Sequence, residues 1–543
     1  MSTAANPPTP NAPRSGPRPA VVILGLLLLT LLIRLPFFFP AVVNWDESTY
    51  ILMGQTILDG HLPYTAQWEV KPPVGFLFYS AAIALFGHSI FAVRLAGAMA
   101  VAAVGALVYL IGARVWGWRA GLVGAVLTVA LMTVLPGGQA TMLEHVAVLP
   151  LVATLYLLVA RPDGAARPDG AARPPGADVL LGVGALLAAA VLSRPNLFPL
   201  PLLVGLYLLV PIRPIGAAVR RGAALAAGGA AVVGLVLLPY VLTGRTAVLW
   251  RAVVVAPLRW ADVDAPLFNS LRVQVNTLLG AARPSNVALA PEGMFVTLVW
   301  VAAGLGVVLA AARWGALSLA ARRRLGWAFV FLVGAHLSVL VTGEFRSHYL
   351  IQVAPFMALF AGIAVSELLR AAWARGVLGY GLAAVLIVTL LVALRPVAAE
   401  YGVMANHARR GEPLAYGPAY DIVRYLDNAG ETAEPAYLMI DHIAYWLRGE
   451  MPLTLVTTHP SMVTKPELVA AFLDRPATAE GELADVLALR PGTIVITTDL
   501  WYLDDFPIAR ARLQATLAAD YTLAERIPVP GDATRLIYRR VRP

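Results

Sequence analysis

The chain has no cysteine and very little charge; of its 543 residues only 13% are Asp, Glu, Lys or Arg. Without thiols there is no disulfide, thiolate zinc site, iron–sulfur cluster or cysteine nucleophile. A cysteine-free chain is also at home on either side of a membrane. Lysine is nearly absent, with Lys71 and Lys465 set against 39 arginines. Soluble domains carry about 25% charged residues. Here 59% of residues are hydrophobic and the mean hydropathy is +0.72, which excludes an ordinary soluble protein and implies an integral membrane protein. The net charge of +9 raises nucleic-acid binding as a question that the placement of the charge must decide.

A membrane-spanning helix takes about 20 mostly apolar residues. Eleven such runs are legible, near 20–40, 94–113, 120–136, 141–160, 178–193, 196–212, 223–243, 294–312, 326–342, 349–369 and 377–395. The first is too long, and too poorly followed by small residues, for a cleaved signal peptide. Residues 1–19, rich in Pro, Ser and Asn, are expected to be a disordered cytoplasmic N-terminus. Arg114, Arg119, Arg220, Arg221, Arg313, Arg322, Arg323 and Arg324 fall between spans on one side; Asp46, Glu47, Glu69, Glu144, Asp262 and Glu344 fall on the other. The positive-inside bias then places the N-terminus in the cytoplasm and, with an odd number of spans, the C-terminus outside. Topology absorbs the positive charge and leaves no motive for nucleic-acid binding.

Residues 75–87, after Pro72-Pro73, are too short to cross and read as an interfacial or re-entrant helix. The hexapeptide repeat at 160–177 reads as a flexible cytoplasmic loop. Apolar spans stop near 396. Beyond it, β-rich runs at 436–441, 492–498 and 534–541 alternate with helical patterns such as 421–430. The expected architecture is an α-helical polytopic membrane domain over 20–395, with outer loops 41–93 and 244–293, followed by an extracytoplasmic α/β domain over 396–543.

The first outer loop carries most of the chemistry. Asp46 and Glu47 follow the first span at the water–lipid boundary, where a carboxylate can act as general base on an acceptor hydroxyl or amine; capping a helix is their plainer role. Lys71, in a chain that has almost abandoned lysine, stands beside two stiffening prolines, and its ammonium suits a phosphate; snorkelling is the plainer alternative. Glu144 and His145 open another span and suit a sugar hydroxyl or a divalent cation, without a second ligand cluster to support the metal. Arg194 ends a hairpin of spans. Arg346, His348 and Tyr349 meet at the membrane surface, where the cations suit an anionic headgroup and the tyrosine an aromatic belt. The long outer loop holds Arg245, Arg251, Arg259, Arg272 and Arg283, on the side that the positive-inside bias disfavours; lipid phosphate or plain solvation accounts for them.

Together these residues resemble the GT-C superfamily of polyprenyl-phosphate-sugar-dependent glycosyltransferases. Within it they look most like bacterial relatives of protein O-mannosyltransferases and of the lipid A aminoarabinose transferase. The resemblance rests on Asp46-Glu47 with Tyr50, Asp59-Gly60, Lys71-Pro72-Pro73, Phe86-Gly87, Arg94-Leu95, Glu144, and His348-Tyr349-Leu350 with Pro355. It implies an inverting transfer of a sugar from a polyprenyl-phosphate donor to an extracytoplasmic protein, lipid or glycan acceptor, with no cofactor required and a divalent cation as an option. Asp46 would be the base, and Glu47 a second catalytic or positioning carboxylate. Lys71, Arg259, Arg346, His348 and Tyr349 would hold the donor phosphate, and Glu144, His145 and Arg194 would position sugar or acceptor. Arg194 departs from the lysine-glycine pair of many relatives. The rival reading is a transporter or flippase for a lipid-linked sugar or other anion, which should show repeated halves and ionisable groups near the bilayer midplane. A ligase passing a whole glycan is a third.

Overall fold

The computed structural model describes residues 16–160, 175–209, 215–260, 291–342, 346–374, 377–428, 434–529 and 531–541. Most of the expected disordered N-terminus and of the repeat, Glu344, and Asp262, Arg272 and Arg283 of the long outer loop lie outside them.

Every apolar run read from the sequence is a helix. They are α1 (Pro19–Arg34), α4 (Ile90–Val115), α5 (Trp118–Val134), α6 (Leu143–Val159), α7 (Ala177–Val191), α8 (Pro199–Leu209), α9 (Ile215–Leu242), α12 (Pro291–Ala312), α13 (Leu319–Leu340), α14 (Ala354–Trp373) and α15 (Val377–Ala393). Between them lie α2 (Trp45–Leu58), α3 (Val74–Phe86), α10 (Thr246–Trp250) and α11 (Ala256–Trp260). Among the described residues, six helices are long and apolar enough to cross a membrane, with a bent pair as a seventh candidate; α5, α6, α7 and α8 are apolar but shorter. Small residues let the helices touch. A Cβ on Gly112 would lie 2.5 Å from the Cα of Gly121, so α4 and α5 meet backbone to backbone. The short apolar run after the prolines is α3, whose 13 residues reach only about 20 Å.

After α15 the chain bends by 50° at Leu394 into α16 (Arg395–Arg410), where Pro396 removes a helical donor. Tyr401 on α16 donates back to the Leu32 carbonyl at 2.6 Å. The remainder is α/β, with α17 (Pro418–Asn428), α18 (Ile443–Leu447), α19 (Pro466–Leu473), α20 (Ala479–Ala488), α21 (Pro507–Asp520) and four strands. The strands are β1 (Ala436–Leu438), β2 (Thr493–Thr497), β3 (Tyr521–Ile527) and β4 (Arg535–Arg540), in the order β1-β2-β4-β3. β1 runs parallel to β2, with Ala436 opposite Thr493, and the β2–β4 and β4–β3 pairs are antiparallel.

Two hydrophobic cores result. One fills the helical bundle; the other joins Tyr50, Trp68, Phe76 and Tyr79 of the first outer segment to Ile440, Trp446, Val469 and Ile494 of the C-terminal region. Trp68 lies flat on Phe472, ring centres 4.2 Å apart, and its backbone N–H donates to Thr458 Oγ1 at 3.1 Å. Trp446 Nε1 donates to Gln55 Oε1 at 3.1 Å. Residues 41–93 therefore share a hydrophobic core with the α/β region.

Candidate active site

Asn44 caps α2 by accepting the Asp46 N–H at 2.9 Å, which starts the helix with its two acids in the first turn. The helix then sends them to opposite sides. Glu47 points inward, where Arg94 Nη2 meets its carboxylate at 2.7 Å and the Thr141 N–H at 2.6 Å. Arg94 also donates to the Phe37 carbonyl at 2.7 Å. Both side chains are buried. Glu47, expected with Asp46 at the chemistry, instead ties α2, α4 and the turns before α2 and α6 together, and it is not among the residues lining the cleft described next.

Asp46 faces a cleft of about 660 Å³ between the outer segment, the start of α14 and the α/β region. The same cleft is lined by Lys71, Arg194, Arg346, His348 and Tyr349, all singled out from the sequence, together with Glu69, His459, Ser461, Lys465, Trp501, Tyr502 and Asp505. Both lysines of the chain therefore face this one space. A second, mainly apolar cavity of about 280 Å³ shares Val70, Lys71, Arg194 and Tyr349 with it and continues over Phe198, Val253, Val254, Pro257, Leu258 and Val341.

Asp46 Oδ1 lies 3.4 Å from Nε2 of His459, and Tyr50 donates its hydroxyl to Oδ2 at 3.4 Å. The other nitrogen of His459, Nδ1, accepts the Ser461 backbone N–H at 3.1 Å. A backbone N–H can only donate, so in the neutral ring the proton sits on Nε2 and faces Asp46. Burial opposes the charge on Asp46. The hydrogen bond from His459, with the positive charge of Lys71 nearby, outweighs it and holds the carboxyl well below the usual carboxylate range. Behind His459 lies His442, whose Nε2 is 2.9 Å from Thr49 Oγ1 of α2.

Lys71 is placed by its loop. Tyr64 donates its hydroxyl to the Lys71 carbonyl at 2.7 Å, and Glu69 lies 3.4 Å from the ammonium. Burial works against that ammonium, but Glu69, with Tyr349 and Asp46, raises it above the ordinary lysine range, so it stays charged. Glu144 stands one layer behind the wall. It is fully buried, 2.7 Å from Arg194 Nη1 and 3.5 Å from His348 Nε2. The guanidinium of Arg194 lies 4.8 Å from the centre of the Tyr349 ring. Glu144 thus holds Arg194 and His348 at the junction of the two cavities. Burial lowers His348 despite Glu144 and Asp46, so the ring is a neutral donor.

His145, expected beside Glu144, turns away. Its Nδ1 accepts the Met142 N–H at 3.1 Å and its Nε2 is 3.0 Å from the Met132 carbonyl. One nitrogen serves the turn before α6 and the other the last turn of α5, so both are engaged with the backbone. Among the described residues no group of three His, Asp or Glu side chains is placed to hold an ion, and Glu69 and Glu144 already face cations. Arg259, on α11, is exposed and lines neither cavity, though its neighbours Pro257 and Leu258 line the apolar one.

His459, Lys465 and Trp501 were not singled out in the sequence. Lys465 carried a signal, as the only lysine besides Lys71. His459 and Trp501 carried none, because the folding of a distant domain brings them to Asp46.

Residues 70–242 match the family model of dolichyl-phosphate-mannose-protein mannosyltransferases. Comparison by sequence with curated proteins finds no match. By structure, the chain is similar to ArnT from Cupriavidus metallidurans bound to undecaprenyl phosphate, at a TM-score of 0.59 and 14% identity over 96% of this chain and 97% of that one. It is also similar to the archaeal oligosaccharyltransferase AglB from Archaeoglobus fulgidus in complex with an inhibitory peptide and a dolichol-phosphate, at a TM-score of 0.51 and 13% identity over 95% of this chain and 74% of that one. Both are GT-C superfamily members, and the chain has the GT-C fold.

Proposed function

We propose that this GT-C chain is an inverting membrane glycosyltransferase that moves a sugar from a polyprenyl-phosphate donor to an acceptor outside the cytoplasm. The observation that carries this reading is the junction of an apolar cavity and a polar cleft at Lys71, Arg194 and Tyr349, with Asp46 on the polar side. A lipid-linked sugar has the same three parts in order: an apolar tail, a phosphate and a polar ring.

The phosphate rests between Lys71, Arg194 and the Tyr349 hydroxyl, with Arg346 and His348 at its flank. The sugar ring extends toward Asp46. The acceptor oxygen attacks the anomeric carbon from the face opposite the phosphate, which inverts that centre. Asp46 takes the acceptor proton as the new bond forms, and the polyprenyl phosphate leaves with the bonding electrons. Fixed cations beside it stabilise the charge that builds on its oxygens, which lowers the barrier rather than merely tightening binding. The depressed Asp46 makes a weak base while the cleft is empty. A bound phosphate offsets the charge of Lys71, one of the groups that depress it, and so raises its proton affinity when the reaction needs it.

The ionisable groups of the site gather at one end of the bundle, on α2, the Lys71 loop and the turn before α14. A transporter would instead set them along a route through the bundle. We place the cleft and the C-terminal domain on the extracytoplasmic side, with the N-terminus in the cytoplasm. The test is incubation of the purified protein with a panel of polyprenyl-phosphate sugars. Release of free polyprenyl phosphate is expected, and intact donor throughout the panel sinks the reading.

A further inference from the structure

We infer that the α/β wall of the cleft is a saccharide-binding subsite, and that the acceptor is a glycan whose sugar ring lies on Trp501. The inference deepens the transferase reading and rests on it for the words donor and acceptor.

Trp501 is half exposed, at 50%, whereas Trp446, the other tryptophan of the α/β region, is 1% exposed. A soluble domain gains by burying an indole, yet this one faces the cleft. It is also held rigid. Its ring lies on Tyr502, centres 4.1 Å apart at 29°, and beside Trp45, centres 5.7 Å apart at 26°. The preceding residue, Leu500, has a buried side chain and a φ of +50°, a backbone region that leucine rarely adopts. That turn presents the indole outward.

Such a platform matches one chemistry. A pyranose has a face of C–H bonds that packs on a flat aromatic ring, and hydroxyls around its rim that bond to carboxylates. Asp505 lines the cleft beside the platform and supplies the carboxylate. Trp45, Trp501 and Asp46 line the same cleft, so a ring stacked here turns a rim hydroxyl toward the base. That oxygen bonds to the donor's anomeric carbon, the bond from that carbon to the phosphate oxygen breaks with its electrons leaving on the polyprenyl phosphate, and the hydroxyl proton passes to Asp46. A peptide acceptor is commonly bound by adding a strand to a sheet edge. None of the described residues lining the cleft belongs to a strand.

The test uses the full-length chain in lipid nanodiscs. Saturation-transfer NMR with methyl α-mannoside, cellobiose and chitobiose reads weak binding without any chemistry, for the wild type, Trp501→Ala and Trp501→Phe. The expected result is transfer to the C–H face of at least one sugar in the wild type and in Trp501→Phe, and its loss in Trp501→Ala. With a donor that the lipid-phosphate release assay finds active, Trp501→Ala should raise the saccharide KM about tenfold or more. Absence of a Trp501-dependent signal with all three sugars overturns the subsite, as does transfer to a Ser/Thr peptide with equal KM in wild type and Trp501→Ala. Loss of donor cleavage alongside intact, Trp501-dependent sugar binding counts against the transferase reading and leaves the subsite standing.

Discussion

The Asp46 carboxylate and the His459 ring meet at 3.4 Å across the join between α2 and the α/β region, and the Ser461 N–H fixes which nitrogen of the ring faces the acid. The carboxylate is therefore oriented by a group that the membrane helices do not supply. Replacing Asp46 by Asn keeps the shape and removes the proton acceptor. Transfer should fall by about 10²–10⁴, the usual worth of a general base, with thermal stability unchanged. Near-normal release of lipid phosphate by this variant would take Asp46 out of the base role.

His459 acts on the reaction through Asp46 and is a positioning residue. His459→Ala should cut kcat by roughly tenfold and leave donor KM alone, because the carboxylate loses its fixed orientation. His459→Gln, whose amide also offers an N–H, should recover much of that loss. A ring that only filled space at the domain join would show equal defects in both variants, and a lowered melting temperature with them.

The two lysines should separate by pH. Lys71 is raised and stays charged through neutral and mildly basic pH. Lys465 is pushed down to about 8, first by burial, with Lys71 and Arg346 adding to it against Glu69 and Asp46. A lysine lowered this way is charged below that pH and neutral above it, so its attraction for an anion fades as pH rises through about 8. Donor KM should climb several-fold across that window in the wild type and stay flat in Lys465→Arg, while Lys71→Ala should weaken donor use at every pH. An identical slope in wild type and Lys465→Arg would separate Lys465 from the donor.

Glu47 and Arg94 form a buried ion pair. Removing one partner leaves the other charged in the core, a change that costs about 3–5 kcal/mol. Glu47→Ala should therefore lower the melting temperature sharply, while the molecules that remain folded keep their turnover. A stable but inactive Glu47→Ala would return this residue to the chemistry.

Much of this arrangement was legible because its signals are local. The apolar helices announce themselves by hydropathy, and Asp46, Lys71, Arg194, His348 and Tyr349 lie at the ends of such helices or in the loops between them. Glu47 and His145 lie outside the lining of the cleft for one reason. Each sits beside a residue that lines or supports the cleft, and a helix turns neighbouring side chains about 100° apart. β3 was not read because its residues alternate poorly: Tyr521 is buried, but Thr522 to Arg526 are exposed on a sheet edge. His459 and Trp501 depend on how the α/β region docks against α2, a long-range contact that no short window of sequence records.

The gathering of both lysines in one space has a practical consequence. Amine-directed reagents find side-chain targets in this protein only where the donor phosphate is proposed to sit, apart from the terminal α-amino group. Acylating probes, which need a neutral amine, would report occupancy of the cleft chiefly through Lys465, and coupling to an activated-ester resin would block the cleft of the molecules it captures through that side chain.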